Sequence, residues 1–445
     1  MTDHTRELHL NLFGNWYGNH RAAWRHPGVD PHQLWDIDFN IRTAKTAERG
    51  LFDAVFFADG PNLGPVQPSG GQTKPEPMTL LGVLGAVTTH LGLAATVSTT
   101  YSEPYNTARQ IASLDLLTRG RAGWNAVTGS NAATAANFGP SAHPEHSLRY
   151  ERSEEFIQIV KALWESWEPD AVIADQETGV FLDPGKVHRV PFQGRHFQID
   201  AVFNVPRSPQ GRPLIFHAGD SDFGRSQGAR HADAIFTAQP TIEAAREFYG
   251  DFKRRVAEAG RDPAHAHVLP GYLAVVGSTE AAARAAFDEL NQLIDIEGAI
   301  AEVARGDGLD VSGVDLDKPI PDSLWEHSIA TSTFRSRVEA LRTKAVEARL
   351  TARQVIEWDI AAHGHYVFVG TPEQVADDIE LWFTTGAADG FNYKAPTFPG
   401  GLEIFVDHVV PLLQAKGIYR KEYTETTLRG HYGLPTPSRP ARSER

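Results

Sequence analysis

The chain has 445 residues, of which 41% are hydrophobic and 22% charged, a balance typical of a globular protein with a large core. Its 42 basic and 56 acidic side chains give a formal net charge of −14, which disfavours nucleic acid and anionic membrane surfaces as partners. Because there is no cysteine, disulfides, thiolate nucleophiles, Fe–S clusters and zinc–cysteine sites are excluded. Any redox chemistry therefore needs a bound cofactor.

The first residues carry no apolar run behind a basic region, which argues against a secretory signal. No apolar stretch approaches the roughly 18 residues that are needed to span a bilayer. We therefore expect a cytoplasmic protein without a membrane segment.

Eight short apolar runs bounded by Gly, Pro or Asp are predicted to be β-strands, and most are followed by a segment with helical periodicity. In chain order these strands are predicted at 8–13, 53–57, 91–98, 121–127, 213–218, 233–238, 268–276 and 390–395. Helices are predicted at 34–49, 77–90, 107–118, 150–167, 223–231, 241–259, 279–293 and 372–386. Eight such repeats favour a closed (β/α)₈ TIM barrel of parallel strands, and the alternative is an open doubly wound sheet. The open sheet is disfavoured because no strand is followed by a G-x-G-x-x-G motif.

Two segments are longer than ordinary barrel loops, at about 169–212 and 295–366. If they leave the C-terminal ends of strands, they lie as insertions over the mouth of the barrel. The whole second segment, 295–366, is predicted to be a mobile lid, because its centre, 305–313, is polar and rich in Gly and Asp and is predicted to bury little apolar area. The tail, about 417–445, is predicted to be an extended C-terminal arm on a single domain that comprises residues 1–445.

Candidate functional residues lie where strands end, because barrel enzymes keep their active-site residues at the C-terminal ends of their strands. Asp59 follows the second predicted strand, Thr96 and Asn125 lie near the ends of the third and fourth, and Ser221 follows the fifth. Ser221 also precedes a predicted helix, where backbone amides and a hydroxyl can bind a phosphate monoester. An ordinary N-cap at Ser221 is the alternative.

The segment 143–152 brings His, Arg and Tyr side chains to the start of a helix, either to hold the same phosphate or to form a solvated first turn. The pairs His265/His267 and His363/His365 have the H-x-H form of some metallohydrolases. Since neither pair lies convincingly at the C-terminal end of a strand, no metal site is predicted.

Several motifs in order resemble those of the bacterial luciferase-like flavin monooxygenases. They are LDLLTRGRAGWNAVT at 114–128, NFG at 137–139 and HSLRY at 146–150. More narrowly, the chain is similar to the group of nitrilotriacetate, EDTA, dibenzothiophene-sulfone and long-chain-alkane monooxygenases. Further matches at 23–27, 49–59, 163–167, 183–188, 208–211 and 387–391 extend the resemblance over about 8–434.

The resemblance implies a barrel that binds FMN, as FMNH₂, at its mouth, with the reduced flavin supplied by a separate NADH:FMN reductase. It also implies that O₂ is a co-substrate and that a flavin C4a-hydroperoxide oxygenates a small organic substrate. A homodimer or homotetramer is expected. Carried over by motif, the family's FMN contacts fall on Asp59, Thr96, His146, Tyr150 and Ser221, and Asn125 is a further candidate because the W-N-x-V-T motif ends the fourth strand.

The sequence departs from the family pattern around two of these positions. His217 stands where the family usually has Gln, and Asp220 occupies a position that is often apolar, where its charge would lie near the phosphate unless it turns away. Gly129 replaces a common Ser. No acid or base is assigned, although His20 and His217 are candidates. A deazaflavin-dependent oxidoreductase on the same barrel, a non-catalytic flavin-binding protein and a metallohydrolase remain alternatives.

Overall fold

The computed structural model describes residues 6–15, 17–63, 73–129, 131–139, 142–332 and 335–437. Its strands are β1 (His9–Phe13), β2 (Ala54–Phe57), β3 (Gly92–Ser98), β4 (Ala122–Val127), β5 (Val172–Asp175), β6 (Val180–Leu182), β7 (Arg189–Gln193), β8 (Gln198–Val202), β9 (Leu214–Ala218), β10 (Ala234–Thr237), β11 (His267–Val276), β12 (Tyr366–Gly370) and β13 (Gly390–Lys394). Its helices are α1 (Ile37–Arg49), α2 (Pro77–Val87), α3 (Pro104–Leu117), α4 (His146–Trp164), α5 (Asp222–His231), α6 (Ile242–Glu258), α7 (Glu280–Gln292), α8 (Ile296–Asp307), α9 (Asp322–Thr331), α10 (Arg335–Glu347), α11 (Ala352–Ala362), α12 (Pro372–Thr384), α13 (Gly400–Ile404), α14 (Val410–Ala415) and α15 (Leu428–His431).

Eight parallel strands close into a barrel in the order β1, β2, β3, β4, β9, β10, β11 and β13, and β13 pairs back with β1. These are the eight strands that the sequence predicts, so the (β/α)₈ TIM barrel is confirmed. The strands read as near-continuous apolar runs because one face packs on the helices and the other fills the interior. Phe13, Phe56, Phe216 and Phe236 pack against one another inside the barrel.

The first insertion follows helix α4 rather than a strand, and it consists of the hairpins β5–β6 and β7–β8. It packs along α4, where the Glu155 carboxylate accepts backbone N–H groups from Arg195, His196 and Phe197 at 2.7–3.1 Å. A segment that follows a helix of the barrel starts at the N-terminal end of the strands, opposite the mouth. The expectation that an insertion covers the mouth therefore does not apply to this segment.

The second insertion, by contrast, reaches the C-terminal mouth. Lys394, at the end of β13, donates a hydrogen bond to the Ala362 carbonyl at the end of α11 (3.1 Å). His365 stacks on Phe236 of β10 with ring centroids 5.0 Å apart. The insertion ends in β12, a strand that the sequence analysis missed and that pairs only with the upper half of β11.

The second insertion buries more apolar side chains than its composition predicts. Its helices α8–α11 enclose an apolar cluster of their own, and Leu309 and Val311, within the segment 305–313, are fully buried there. The prediction that this segment buries little apolar area is therefore wrong, because two apolar side chains among the Gly and Asp residues suffice to anchor it. Its movement as a lid stays a prediction.

The C-terminal arm closes the opposite, N-terminal end of the barrel instead of extending away from it. Leu428 and Tyr432 are buried, and the Tyr432 hydroxyl donates to Asn11 Oδ1 inside the barrel (2.9 Å). Arg420 of the arm donates to the fully buried Asp53 at 2.6 Å. The last residues, 438–445, lie outside the described part of the chain. Among the described residues, no helix is long and apolar enough to cross a membrane.

We expect the substitution Arg420→Met to lower the free energy of unfolding at pH 7 by about 3 kcal/mol, because it leaves the Asp53 carboxylate buried without its main cation. Burial alone would raise the pKa of Asp53, but Arg420 and His9 outweigh it and hold that pKa at about 2. Urea denaturation measures the change. Arg42→Met, at an exposed pair 3.8 Å from Asp36, is the control and should change stability by less than about 1 kcal/mol. Equal stability of both variants would contradict the importance of the Arg420 ion pair.

Candidate active site

The candidate site occupies the C-terminal ends of four consecutive barrel strands, β2, β3, β4 and β9. Thr96 and Asn125 are paired in register on β3 and β4, and Asn125 Nδ2 donates to Thr96 Oγ1 at 2.8 Å. Asn125 is only 3% exposed, yet its Oδ1 has no hydrogen-bond partner. A buried amide oxygen without a partner costs free energy unless a ligand or water satisfies it.

Asp59 lies where predicted, at the end of β2, with its carboxylate 3.4 Å from Lys74 Nζ. Together with Thr96 it lines a groove of about 910 Å³ that runs from the strand ends between helices α2 and α3. Tyr101 and Phe138, whose rings stack 4.9 Å apart, line the same groove. The structure therefore brings Asp59, Thr96 and Asn125 to one side of the mouth.

His146, Tyr150 and Ser221 come together beside the end of β9. Helix α4 begins at His146, four residues earlier than predicted, so His146 and Tyr150 lie one turn apart with ring centroids 4.9 Å apart. Phe223, in the first turn of α5, stacks on Tyr150 at 5.8 Å and contacts His146 edge-on at 5.5 Å. The sequence analysis missed the role of Phe223, although an exposed aromatic residue two positions after a helix cap is a usable signal.

Helix α5 begins at Asp222 and is capped by Ser221, whose side chain accepts a hydrogen bond from Gly224 N at 3.1 Å. This is the N-cap that the sequence left as one alternative. The two readings are compatible, because a capping hydroxyl still has its own proton to donate to an anion. The N-terminus of a ten-residue helix also attracts negative charge through its unpaired amides and dipole.

The space over Gly219 is the part of the site that most resembles a binding cradle. A Cβ atom built on Gly219 would lie 3.1 Å from Gly224 Cα and 3.3 Å from both His217 Nε2 and the Tyr150 hydroxyl. His217 is 2% exposed, and its Nε2 has no hydrogen-bond partner. Two polar atoms thus approach a position beside the chain that stays empty because residue 219 has no side chain.

Asp220 does not place its charge in this cradle. Its carboxylate accepts hydrogen bonds from the Thr237 hydroxyl at 2.5 Å and from Ala238 N at 3.4 Å, both at the end of β10. The side chain therefore turns towards β10, which resolves the conflict that its position after the strand raises in the sequence.

Arg149 adds a buried positive charge next to Tyr150. It is 8% exposed, one of its N–H groups donates to the Pro144 carbonyl at 2.6 Å, and its Nε has no partner. Burial and then the charge of Arg149 lower the pKa of both His143 and His146, which favours their neutral forms. This end of α4 is therefore electropositive, as an anion site requires.

His20 is tied into the fold rather than poised as an acid or base. Its Nδ1 accepts from Ala22 N at 3.2 Å, so its Nε2 carries the proton and donates to Asn291 Oδ1 at 3.0 Å. Burial lowers the pKa of His20 to about 4. His217 Nδ1 lies 2.8 Å from the Ala126 carbonyl and donates to it, which leaves Nε2 unprotonated, and burial lowers the pKa of His217 to about 4.

The two H-x-H pairs lie apart from these groups. His267 begins β11 at the N-terminal end of the barrel, with its Nε2 3.1 Å from the Tyr432 carbonyl. His363 ends helix α11 in the left-handed conformation, and His365 stacks on Phe236. In the described part of the chain, no three His, Asp or Glu side chains form a group that could hold a metal ion.

The depressed pKa values of the buried histidines predict a loss of stability in acid. The pKa of His20 is about 4 in the folded protein against about 6.5 unfolded, so the unfolded state binds a proton first as the pH falls. The contribution of His20 to the free energy of unfolding is therefore fully present above pH 6.5. It falls by about 1.4 kcal/mol per pH unit between pH 6.5 and 4.

We expect His20→Gln to reduce the dependence of the unfolding free energy on pH by up to one proton over this range. Urea denaturation at pH 7, 6 and 5 measures the slope. His32→Gln, at an exposed histidine, is the control and should keep the slope of the parent protein. An unchanged slope in His20→Gln would refute the assignment.

Comparison with known proteins identifies the family of this chain. Residues 13–389 match the model of the luciferase-like monooxygenase family. The chain is 44% identical to N-acetyl-S-(2-succino)cysteine monooxygenase of Bacillus subtilis (strain 168), over 98% of this chain and 99% of that protein. It is 40% identical to nitrilotriacetate monooxygenase component A of Aminobacter aminovorans, over 97% of each chain.

A solved structure extends the comparison to three dimensions. The riboflavin lyase RcaE, determined with a modified FMN and riboflavin, superposes with a TM-score of 0.84 and 31% identity over 97% of each chain. The resemblance deduced from the sequence motifs is thereby confirmed, including its narrower assignment to the nitrilotriacetate monooxygenase group. The chain is an oxygenating oxidoreductase and belongs to the luciferase-like monooxygenase family.

Proposed function

We propose that the protein is a two-component monooxygenase that uses FMNH₂ and O₂ to oxygenate a small organic substrate. The observation that carries the proposal is the cradle over Gly219, where His217 Nε2 and the Tyr150 hydroxyl face the start of α5. Such a site suits the phosphate monoester of a flavin mononucleotide. The FMN derivative in the RcaE structure and the name "component A" of the nitrilotriacetate enzyme support the flavin and a second component.

The residues present fit FMN at both of its ends. At the phosphate end, Ser221 and Tyr150 offer hydroxyl donors, and Arg149 adds positive charge nearby. At the ring end, the unsatisfied Asn125 Oδ1 can accept from a flavin N–H group, while Thr96 holds the amide in place through Asn125 Nδ2. Asp59 and His146, the remaining predicted contacts, stay proposals on their positions at the groove and at the start of α4.

When bound, the reduced flavin supplies the activation of O₂ and the transfer of one oxygen atom to the substrate. The protein orients the flavin and keeps water away from it. The aromatic side chains of Phe13, Phe56 and Phe236 close the barrel below the mouth. Lys394 and His365 hold the second insertion at the mouth above them, where it restricts access to the site.

On this proposal, a separate NADH:FMN reductase transfers the hydride from NADH to the flavin. The chain shows no G-x-G-x-x-G dinucleotide motif after a strand. Reduced flavin then reaches the mouth by diffusion. A homodimer or homotetramer, as expected from the sequence, remains a prediction.

We expect Ser221→Ala and Tyr150→Phe each to weaken FMNH₂ binding by roughly ten- to a hundredfold, because each removes a hydrogen bond to a charged phosphate. Anaerobic titration followed by flavin fluorescence measures the affinity. The matched control is Thr241→Ala, which removes the equivalent N-cap of α6 (Ala244 N donates to Thr241 Oγ1, 3.2 Å), a helix that carries no predicted FMN contact. Unchanged affinity in both site variants would overturn the phosphate assignment.

We also expect no turnover by the isolated protein with NADH and oxidised FMN, and product formation once an unrelated NADH:FMN reductase is added. Mass spectrometry under ¹⁸O₂ with a panel of sulfur compounds, aminopolycarboxylates, amines, alkanes and heterocycles should show one labelled oxygen atom in the product. Sustained NADH oxidation coupled to product without a reductase would refute the two-component scheme. Turnover with a reduced deazaflavin and no oxygen uptake would favour the deazaflavin alternative.

A further inference from the structure

We propose that His217 takes up a proton when the flavin phosphate binds, so that flavin affinity in this protein is coupled to pH. This inference rests on the proposed function, since it assumes that FMN occupies the cradle over Gly219. It concerns a side chain that, unlike an amide, can change its charge near neutral pH.

The geometry fixes which nitrogen is available. Because His217 Nδ1 donates to the Ala126 carbonyl at 2.8 Å, the imidazole is held in one orientation and one tautomer. Its Nε2 carries a lone pair, is buried and makes no hydrogen bond of good geometry, although the backbone of Gly224 in the first turn of α5 lies close by. That nitrogen lies 3.3 Å from the Cβ position of Gly219, the same point that the Tyr150 hydroxyl approaches to 3.3 Å.

A phosphate oxygen and an imidazole lone pair repel each other when they meet. If a proton from solvent binds to Nε2, the repulsion becomes a charge-assisted N–H···O⁻ hydrogen bond. The Nδ1 hydrogen bond to Ala126 is kept in both states, since that nitrogen is protonated throughout. The balance is one proton taken from solvent and one Nε2–H bond formed, with no other bond changed.

Burial, and to a smaller extent the charge of His231, favours the neutral ring in the free protein, and the phosphate is the group that reverses this. His217 is buried under α5 and α4, where the titratable neighbours are His231 and Tyr150. His231 is bound to Glu154 at 2.6 Å, and Asp220 is turned towards Thr237 and Ala238. The hydrogen bonds of these two carboxylates thus go to groups other than the His217 ring. An incoming phosphate dianion supplies negative charge and raises the pKa of His217 from its free value of about 4.

The experiment compares FMN binding to the parent protein and to His217→Gln by isothermal titration calorimetry at pH 6 in two buffers of different ionisation enthalpy. The difference in observed heat gives the number of protons taken up. The phosphate of FMN titrates in this range too, so the titrations are repeated at pH 7.5, where the free phosphate is almost entirely a dianion. His32→Gln, at an exposed histidine, is the control for loss of a histidine elsewhere.

We expect the parent protein and His32→Gln to take up nearly one proton more than His217→Gln. The ratio of FMN affinities, parent over His217→Gln, should fall about tenfold per pH unit between pH 5.5 and 7.5 while the complexed ring stays protonated. As a check that needs no variant, ¹⁵N-histidine NMR of the parent protein should show one Nε2 changing from an unprotonated to a protonated position when FMN is added.

The possible outcomes distinguish a failure of the role proposed for His217 from a failure of the flavin-dependent function. Equal proton uptake in the parent protein and His217→Gln, with FMN bound tightly by both, overturns the role of His217 and leaves the flavin function intact. Failure of both proteins to bind FMN and, in anaerobic titration, FMNH₂ overturns the proposed function itself. If His217→Gln does not fold, the absence of a newly protonated Nε2 signal in the FMN complex of the parent protein overturns the inference.

Discussion

The barrel depends on buried carboxylates at its N-terminal rim. Asp53, Asp233 and Asp389 each immediately precede a barrel strand and accept the backbone N–H of a residue on a neighbouring strand: Leu10, Ile215 and Val268, respectively, at 2.7–2.9 Å. Each carboxylate therefore fixes the register of two strands at the same level of the barrel. Such buried charges persist only when cations and hydrogen bonds compensate for their desolvation.

The cations that compensate these carboxylates come from other parts of the chain. Arg420 and Arg429 come from the C-terminal arm to Asp53 and Asp233, and Lys253 comes from α6 to Asp389 at 2.9 Å. The arm is thus an electrostatic closure of the barrel bottom as well as an apolar plug. Because the N-terminal end is fixed in this way, the loops at the opposite end are free to diverge without loss of the barrel.

The C-terminal end has unsatisfied buried polar groups where the strands end. At the N-terminal rim Asp53, Asp233 and Asp389 each have a cation, although Asp115 Oδ2 and Arg429 Nε are buried there without a hydrogen-bond partner. At the mouth, Asn125 Oδ1, His217 Nε2 and Arg149 Nε are buried without such a partner. Unsatisfied buried polar atoms are costly in a finished core and useful in a site whose ligand completes them. Those at the mouth lie where the parallel strands end, which is why we propose the flavin site there.

Much of this protein follows from its sequence alone. The eight apolar runs determined the barrel, because a strand buried on both faces has to be apolar along its length. The polar residues that end those runs, Asp59, Thr96 and Asn125, could be assigned to the mouth because parallel strands all end on the same side. The motif at 146–150 and the cap at Ser221 identified the two helix starts that meet beside β9.

The tertiary structure decided what depends on the meeting of distant residues. No local pattern shows that Asp220 turns to Thr237, that Leu309 and Val311 build a core within a polar segment, or that the arm closes the barrel. The tautomer of His217 likewise depends on a carbonyl 91 residues away in the chain. Periodicity reports which face of an element is buried, whereas the partner of each buried polar atom is fixed only when the elements pack together.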